Sequence, residues 1–166
     1  MQCINVEHEL YAEEQALRLN VLLRPIGLSA WWHRDSFARH IVALSDAGSV
    51  VGCVLLILPK EDPSQRSSDE AGCVILCQMA VSDAWQRKGV GAILLQGAER
   101  LARDAGESTI VLHARESAAE FYVKNGFSEY GERFTEVSCC APACGHACLN
   151  NVLLPRPTDG GSDLRH

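Results

Sequence analysis

Gln86-Arg87-Lys88-Gly89-Val90-Gly91 separates an apolar run at residues 73–81 from a stretch of helical periodicity at residues 91–105. A buried strand that leads through a glycine turn into a helix puts the turn at the helix N-terminus. Backbone N–H groups there have no intrahelical acceptor, and the aligned peptide dipoles add positive partial charge. Gly89 and Gly91 let the main chain come close to an anion, and Arg87 and Lys88 bring full positive charges. The turn with Ala92 therefore suits a phosphate or pyrophosphate. A dinucleotide fingerprint would carry a third glycine near Leu94, where the chain has a bulky apolar residue. A P-loop needs a longer glycine spacing closed by Lys and Ser or Thr, which is absent. A Gly-x-Gly turn alone also fits a plain loop; the strand, helix and basic residues around this one argue for the anion.

Outward from the turn, residues 91–105 predict a helix with Leu94, Ala98, Leu101 and Ala105 on its buried stripe and Gly106 as its stop. Upstream, residues 10–23 predict a first helix that buries Ala12, Ala16, Leu19 and Leu23, with Glu13, Glu14 and Arg18 pointing elsewhere. Arg24-Pro25-Ile26-Gly27 ends it, and a short helical or irregular stretch is expected at 29–36. Residues 40–44 and 50–58 read as a hairpin around Ser45-Asp46-Ala47-Gly48. Residues 59–72 read as a loop, long enough to suggest mobility or a binding role.

Downstream, residues 109–113 are a short β-branched strand. Ser117-Ala118-Ala119-Glu120 has the form of a capping box, opening a helix that carries Phe121 and Tyr122 and stops at Asn125-Gly126. Two last strands are expected at 127–137 and 147–154, followed by a frayed tail at 155–166. The order predicts one domain over 1–154, an α/β sandwich around a mixed sheet with one βαβ-like unit.

A chain of 166 residues is the size of one domain with a real core. Its formal net charge of −6, without a long basic stretch, argues against tight nucleic-acid binding. No apolar run approaches the roughly 20 residues that span a bilayer, so no membrane partner is expected. The N-terminus lacks a basic segment followed by an apolar one, and a cytoplasmic location is expected. The eight cysteines would then be reduced thiols. Cys139, Cys140, Cys144 and Cys148 crowd around His146, which invites zinc or redox chemistry. Their spacing is not a two-plus-two zinc pattern, and no metal is expected.

Gln86-Arg87-Lys88-Gly89-Val90-Gly91 resembles the Gln/Arg-x-x-Gly-x-Gly/Ala signature of the GCN5-related N-acetyltransferases (GNAT). Ala118, Phe121, Tyr122, Gly126 and Phe127 resemble the Ala-x-x-Phe-Tyr-x-x-x-Gly-Phe segment of the same family, in the expected order and separation. His113-Ala114-Arg115-Glu116-Ser117, with Gly131-Glu132-Arg133-Phe134-Thr135-Glu136, is similar to the subgroup of ElaA-type members. The resemblance covers residues 10–154. It implies a mixed, mostly antiparallel sheet with helices on both faces and a splay between the two central parallel strands.

The resemblance also implies roles. Met79, Ala80 and Val81 would pair with the pantetheine arm of acetyl-CoA, and the turn amides from Arg87 to Ala92 would hold its pyrophosphate. An amine would attack the thioester directly, and Tyr122 would be the acid beside the sulfur, its alternative being a core aromatic. A free alkylamine, with pKa near 10.4, must first lose a proton. The base stays open among Glu132, Glu136, His113 and His146; Glu136 and His146 match the subgroup's last strands, although residues 138–145 depart from its pattern. Arg115 stands where many relatives carry asparagine at the pantetheine, and Ser117, Ala118 and Phe121 share that neighbourhood. Trp31 and Trp32 cover either the acceptor or the core. The resemblance implies an enzyme using acetyl-CoA and an amine acceptor, with a homodimer among its expected assemblies. An acyl-CoA sensor without turnover, and a metal or redox protein built on the cysteine cluster, are the alternatives.

Overall fold

The computed structural model describes residues 1–27, 34–61 and 72–129, with the backbone of two further strands at Phe134–Thr135 and Ala147–Leu153. In chain order the elements are β1 (Gln2–Ile4), α1 (Tyr11–Arg18), β2 (Ala38–Leu44), β3 (Val50–Ile57), β4 (Val74–Val81), α2 (Val90–Asp104), β5 (Ile110–Arg115), α3 (Glu116–Lys124), β6 (Phe134–Thr135) and β7 (Ala147–Leu153). The strands form one sheet in the order β1-β2-β3-β4-β5-β7-β6. Every neighbouring pair is antiparallel except β4 and β5, which α2 joins as a parallel crossover.

That parallel junction is short. Val74, Ile75 and Leu76 pair with Ile110, Val111 and Leu112, and the two strands then separate. β4 runs on to Val81 along β3, while β5 runs on to Arg115 along β7. The splay implied by the family resemblance is present.

β3 is buried along its whole length, as a Val/Leu/Ile run covered on both faces should be. One face packs against α2 and α3: Val54, Leu56, Val74, Leu76, Leu94, Ala98, Leu112, Tyr122 and Phe127 share that core. The opposite face packs Val42, Cys53 and Ala80 under Leu10, Leu17 and Val21 from the N-terminal helical region.

The first helix departs from the expected face. Ala12 and Ala16 are exposed, whereas Glu14 and Arg18 are fully buried. The cause is electrostatic: Arg18 meets carboxylates on two sides, and a paired cluster of charges takes the place that apolar periodicity would give to alanines. Beyond Arg18 the chain widens into a π-helical turn (Leu19–Leu23) and then tightens into a 3-10 turn (Arg24–Ile26). A second 3-10 turn, Asp35–Phe37, overlaps the end of the stretch expected at 29–36 to be short helical or irregular.

The capping box does not form. Arg115 occupies the cap position of α3, no side chain caps it, and Ser117 already lies inside the helix. β5 feeds directly into α3, so the helix starts before the serine can act; Glu120 pairs instead with Lys124 at 2.6 Å. In α2, Ala102 is buried and Ala105 exposed, so the stripe drifts by a residue at its C-terminal end. β1 was not signalled by the sequence, because three residues with only Ile4 buried carry no readable period. Of the strand expected at 127–137, residues 127–129 follow the end of α3 without strand pairing and Phe134–Thr135 are strand, the others lying outside the described residues. Trp31, Trp32, most of the 59–72 loop and the tail after residue 154 lie outside the described residues. Among those described, no helix is long and apolar enough to cross a membrane.

Candidate active site

The glycine turn projects from the end of β4 and is tied back to it. The Gln86 side-chain amide donates to the Val81 carbonyl at 3.0 Å and to Asp83 Oδ1 at 2.9 Å. Ser82 N–H donates to the Val51 carbonyl at 2.9 Å, anchoring the same stretch on β3. Arg87 (φ 59) and Gly89 (φ 84) are both left-handed, which curls the exposed chain into a concave turn. The first bond of α2 runs from Ile93 N–H to the Gly89 carbonyl at 3.1 Å, so the amides of Gly89, Val90, Gly91 and Ala92 precede the helical ladder. Lys88 Nζ lies over the Trp85 ring, 5.5 Å from its centroid.

The two glycines have different reasons to be there. At Gly89 a Cβ would meet nothing, and the residue is needed for its positive φ. At Gly91 a Cβ would stand 2.9 Å from Phe121 Cζ, so the missing side chain lets α3 pack on the start of α2. The turn is thereby in contact with the helix that carries Tyr122.

β4 contains a bulge where it leaves β5. Cys77 pairs with Leu55 and Ala80 with Cys53, so Gln78 and Met79 together stand opposite Val54. Gln78 takes the extra place at φ 49; a left-handed non-glycine residue costs on the order of 1–3 kcal/mol. The inserted residue shifts the alternation of faces by one. Before it, Leu76 faces α2 and α3 while Cys77 faces the other side; after it, Met79 and Val81 join the α2/α3 side and Ala80 the opposite one. Among the described residues Gln78 and Arg87 alone combine a side chain with positive φ, and they flank residues 79–81.

Tyr122 meets this strand. Its hydroxyl donates to Met79 Sδ at 3.6 Å, and its ring packs edge-on against Phe121 and Phe127 with centroids 5.1 and 5.8 Å away. Burial pushes the phenol up to about 12, and the nearby Cys77 thiol adds to the shift. At neutral pH the group is a protonated donor directed at Met79, a residue past the point where β4 stops pairing with β5.

On the other side of the bulge lies a buried polar cluster that the sequence reading did not bring together. Arg18 Nη2 donates to Glu14 Oε2 (2.8 Å) and Asp35 Oδ2 (2.6 Å), and Nη1 donates to Asp35 Oδ1 (3.1 Å) and Gln78 Oε1 (2.7 Å). Tyr11 Oη donates to Asp35 Oδ2 at 2.8 Å. His40 Nδ1 faces Glu14 Oε1 at 3.4 Å, and its Nε2 lies 3.0 Å from the Asp35 carbonyl. Two carboxylates thus meet one guanidinium, with the His40 ring set against Glu14. Only the i, i+4 spacing of Glu14 and Arg18 hinted at the cluster.

Arg115 spans a different gap: its Nη2 donates to the Leu22 carbonyl at 2.9 Å, joining the π-helical turn to the end of β5. Ala118 and Phe121 pack into the core beside Tyr122, and Ser117 is exposed. His113 is exposed on β5, with Asn150 of β7 as its strand partner. Glu132, Glu136 and His146 lie outside the described residues, as do Cys139, Cys140 and Cys144; Cys148 is placed only by its backbone, opposite Arg115 and Phe134. No grouping of residues suited to a metal ion occurs among the described residues.

The family model described as "Acetyltransferase (GNAT) family" matches residues 6–127. Among solved structures, an acyl-CoA N-acyltransferase from Pseudomonas aeruginosa is similar at TM-score 0.67 and 20% identity, covering 92% of this chain and 97% of that one. ElaA from Escherichia coli is similar at TM-score 0.66 and 16% identity, with coverage of 92% and 97%. The IAA acetyltransferase from Bacillus cereus gives TM-score 0.64 and 22% identity, with coverage of 91% and 93%. At these identities the structures speak for the fold, and the family match spans the glycine turn, the bulged strand and Tyr122 alike. The chain belongs to the GNAT acetyltransferase family.

Proposed function

We propose that the chain is an N-acetyltransferase that moves the acetyl group of acetyl-CoA to a primary amine by direct attack within a ternary complex, in the cytoplasm. Its motifs resemble those of the ElaA-type members. The observation that carries the reading is the Tyr122 hydroxyl, 3.6 Å from Met79 Sδ where β4 has parted from β5. That geometry sets a buried donor beside an open strand edge at which a thioester can lie.

In this reading the amides from Arg87 to Ala92 hold the pyrophosphate, with Gln86 keeping the turn folded. Residues Met79, Ala80 and Val81 offer main-chain groups to the pantetheine arm along the edge that β5 leaves open. The neutral amine attacks the thioester carbon; the C–N bond forms, the C–S bond breaks, and the nitrogen's proton is matched by one delivered to sulfur. A phenol near 12 is a weaker acid than an alkyl thiol near 8.5, a difference worth about 5 kcal/mol. Tyr122 therefore serves as a hydrogen-bond donor to the developing thiolate, passing on a proton only as solvent restores it. Glu136 and His146 are the proposed bases, and Arg115 contributes by holding the end of β5 in place.

The test is thiol release from acetyl-CoA across a panel of primary amines, with CoA binding measured by calorimetry on the same protein. Binding with turnover is expected. Binding without turnover on any amine would favour an acyl-CoA sensor, and absence of binding would sink the donor assignment.

A further inference from the structure

We propose that Gln78 is a positioning residue for acyl transfer, clamped by Arg18 so that the β4 bulge keeps Met79 and Val81 turned toward Tyr122. The proposal rests on the acyl-CoA reading above and adds to it a second-side support that reaches the site from α1.

Three observations meet at this residue. Gln78 is the extra residue of the bulge and holds a left-handed φ of 49, a conformation a glutamine leaves when nothing retains it. Its Oε1 accepts from Arg18 Nη1 at 2.7 Å, a short, charge-assisted bond. Arg18 in turn cannot move: Glu14 and Asp35 engage both of its Nη atoms, its Nε lies 2.7 Å from Glu14 Oε1, and all three side chains are buried. The cluster is thus a fixed post, and one of its donors reaches out of the cluster to the strand at the reaction site.

What the clamp holds is a choice of face. With the extra residue in place, Met79 and Val81 lie on the α2/α3 side and Ala80 on the other. If Gln78 relaxes to negative φ, the alternation after Cys77 slips and Met79 leaves the Tyr122 hydroxyl. The glycine turn has separate ties, through Gln86 to the Val81 carbonyl and through Ser82 to the Val51 carbonyl. Loss of the clamp is therefore expected to disturb the acyl end of the site and leave the pyrophosphate end alone. Gln78 acts through the strand and has no role in the bond changes themselves.

The experiment compares Gln78→Met, which keeps length and loses the acceptor, with Gln78→Glu, which keeps an acceptor for Arg18. Three quantities are read: kcat with the best amine of the panel, the dissociation constant for CoA, and amide hydrogen exchange at residues 78–81 without substrate. For Gln78→Met, kcat is expected to fall at least tenfold and exchange to rise at least tenfold, with CoA affinity falling by a smaller factor than kcat because the ties of the pyrophosphate turn remain. Gln78→Glu is expected to stay within threefold of wild type in all three. Unchanged kcat and exchange in Gln78→Met would overturn the proposal, and so would an equal loss in both variants. A wild-type protein that bound no CoA would defeat the acyl-CoA reading, while the exchange comparison would still decide whether the clamp exists.

Discussion

At the scale of the residue, the phenol of Tyr122 is held among Phe121, Phe127 and Met79, and that burial sets its acidity as well as its place. Its value near 12 lies above the ordinary 10.0, so the folded protein binds this proton more tightly than the unfolded chain does. The resulting stabilisation, about 3 kcal/mol for two units, is fully present below pH 10 and is lost as pH rises through 12. Tyr11 is raised to about 12 as well, by partial burial and by its bond to Asp35, so a comparison of variants is needed to isolate Tyr122. Tyr122→Phe is expected to flatten the alkaline fall of the unfolding free energy relative to wild type. It is also expected to reduce kcat by roughly 10²-fold or more while leaving CoA binding unchanged. Alkaline denaturation curves and steady-state kinetics check the two halves. Tyr122 was legible in the sequence because a Phe-Tyr pair ahead of Gly126-Phe127 forms a recognisable segment. Gln78 was not: a lone glutamine in an apolar run carries no period, and its partner Arg18 lies sixty residues away on α1.

At the scale of the element, α1 is the one whose reading the structure reversed. Hydrophobic periodicity counts Glu14 and Arg18 as solvent-facing, because their cost of burial is visible in sequence and their partners are not. Asp35 and His40 lie far along the chain, and only the packing of α1 on the sheet brings them together. Arg18→Met is expected to lower the unfolding free energy by about 3–5 kcal/mol, since it strands two buried carboxylates; denaturant titration measures it. α2, by contrast, was legible nearly end to end, from the glycine turn to Gly106. Its contact with α3 makes a second prediction. Gly91→Ala is expected to cost about 1–3 kcal/mol by forcing the Phe121 ring aside. Gly89→Ala, where a Cβ meets only open space, carries backbone strain without that displacement. The ring-region nuclear resonance spectrum of Phe121 should move in the first variant and stay in the second.

At the scale of the whole molecule, the sheet is two antiparallel halves joined by a ladder only three residue pairs long, from Val74 to Leu76 against Ile110 to Leu112. The succession of elements along the chain and the crossover through α2 were readable from alternation and turn chemistry, the helices on both faces came with the family resemblance, and the order of strands in the sheet was not read. Nor was the brevity of the junction, since neither strand changes character where pairing stops. An opening of this kind makes the β5-facing side of residues 77–81 a place that a ligand can complete. Acetyl-CoA is accordingly expected to slow amide exchange at residues 79–81 and 87–92 together. It should also raise Tm with ligand concentration in the manner of a native-state ligand. Protection of the turn alone would mean that the phosphate end binds without the arm entering the opening.

The bulge in β4 gives that strand something like a reading frame. Upstream of Gln78 the odd and even positions mean one thing for the core, and downstream they mean the reverse. Most single substitutions on the strand edit one word. Straightening Gln78 into an ordinary strand position recasts every word after it: Met79 and Val81 would be spelled into the α1 side and Ala80 into the helices that carry Tyr122. Variation along residues 74–81 is therefore constrained first by the backbone turn at Gln78 and only then in letter.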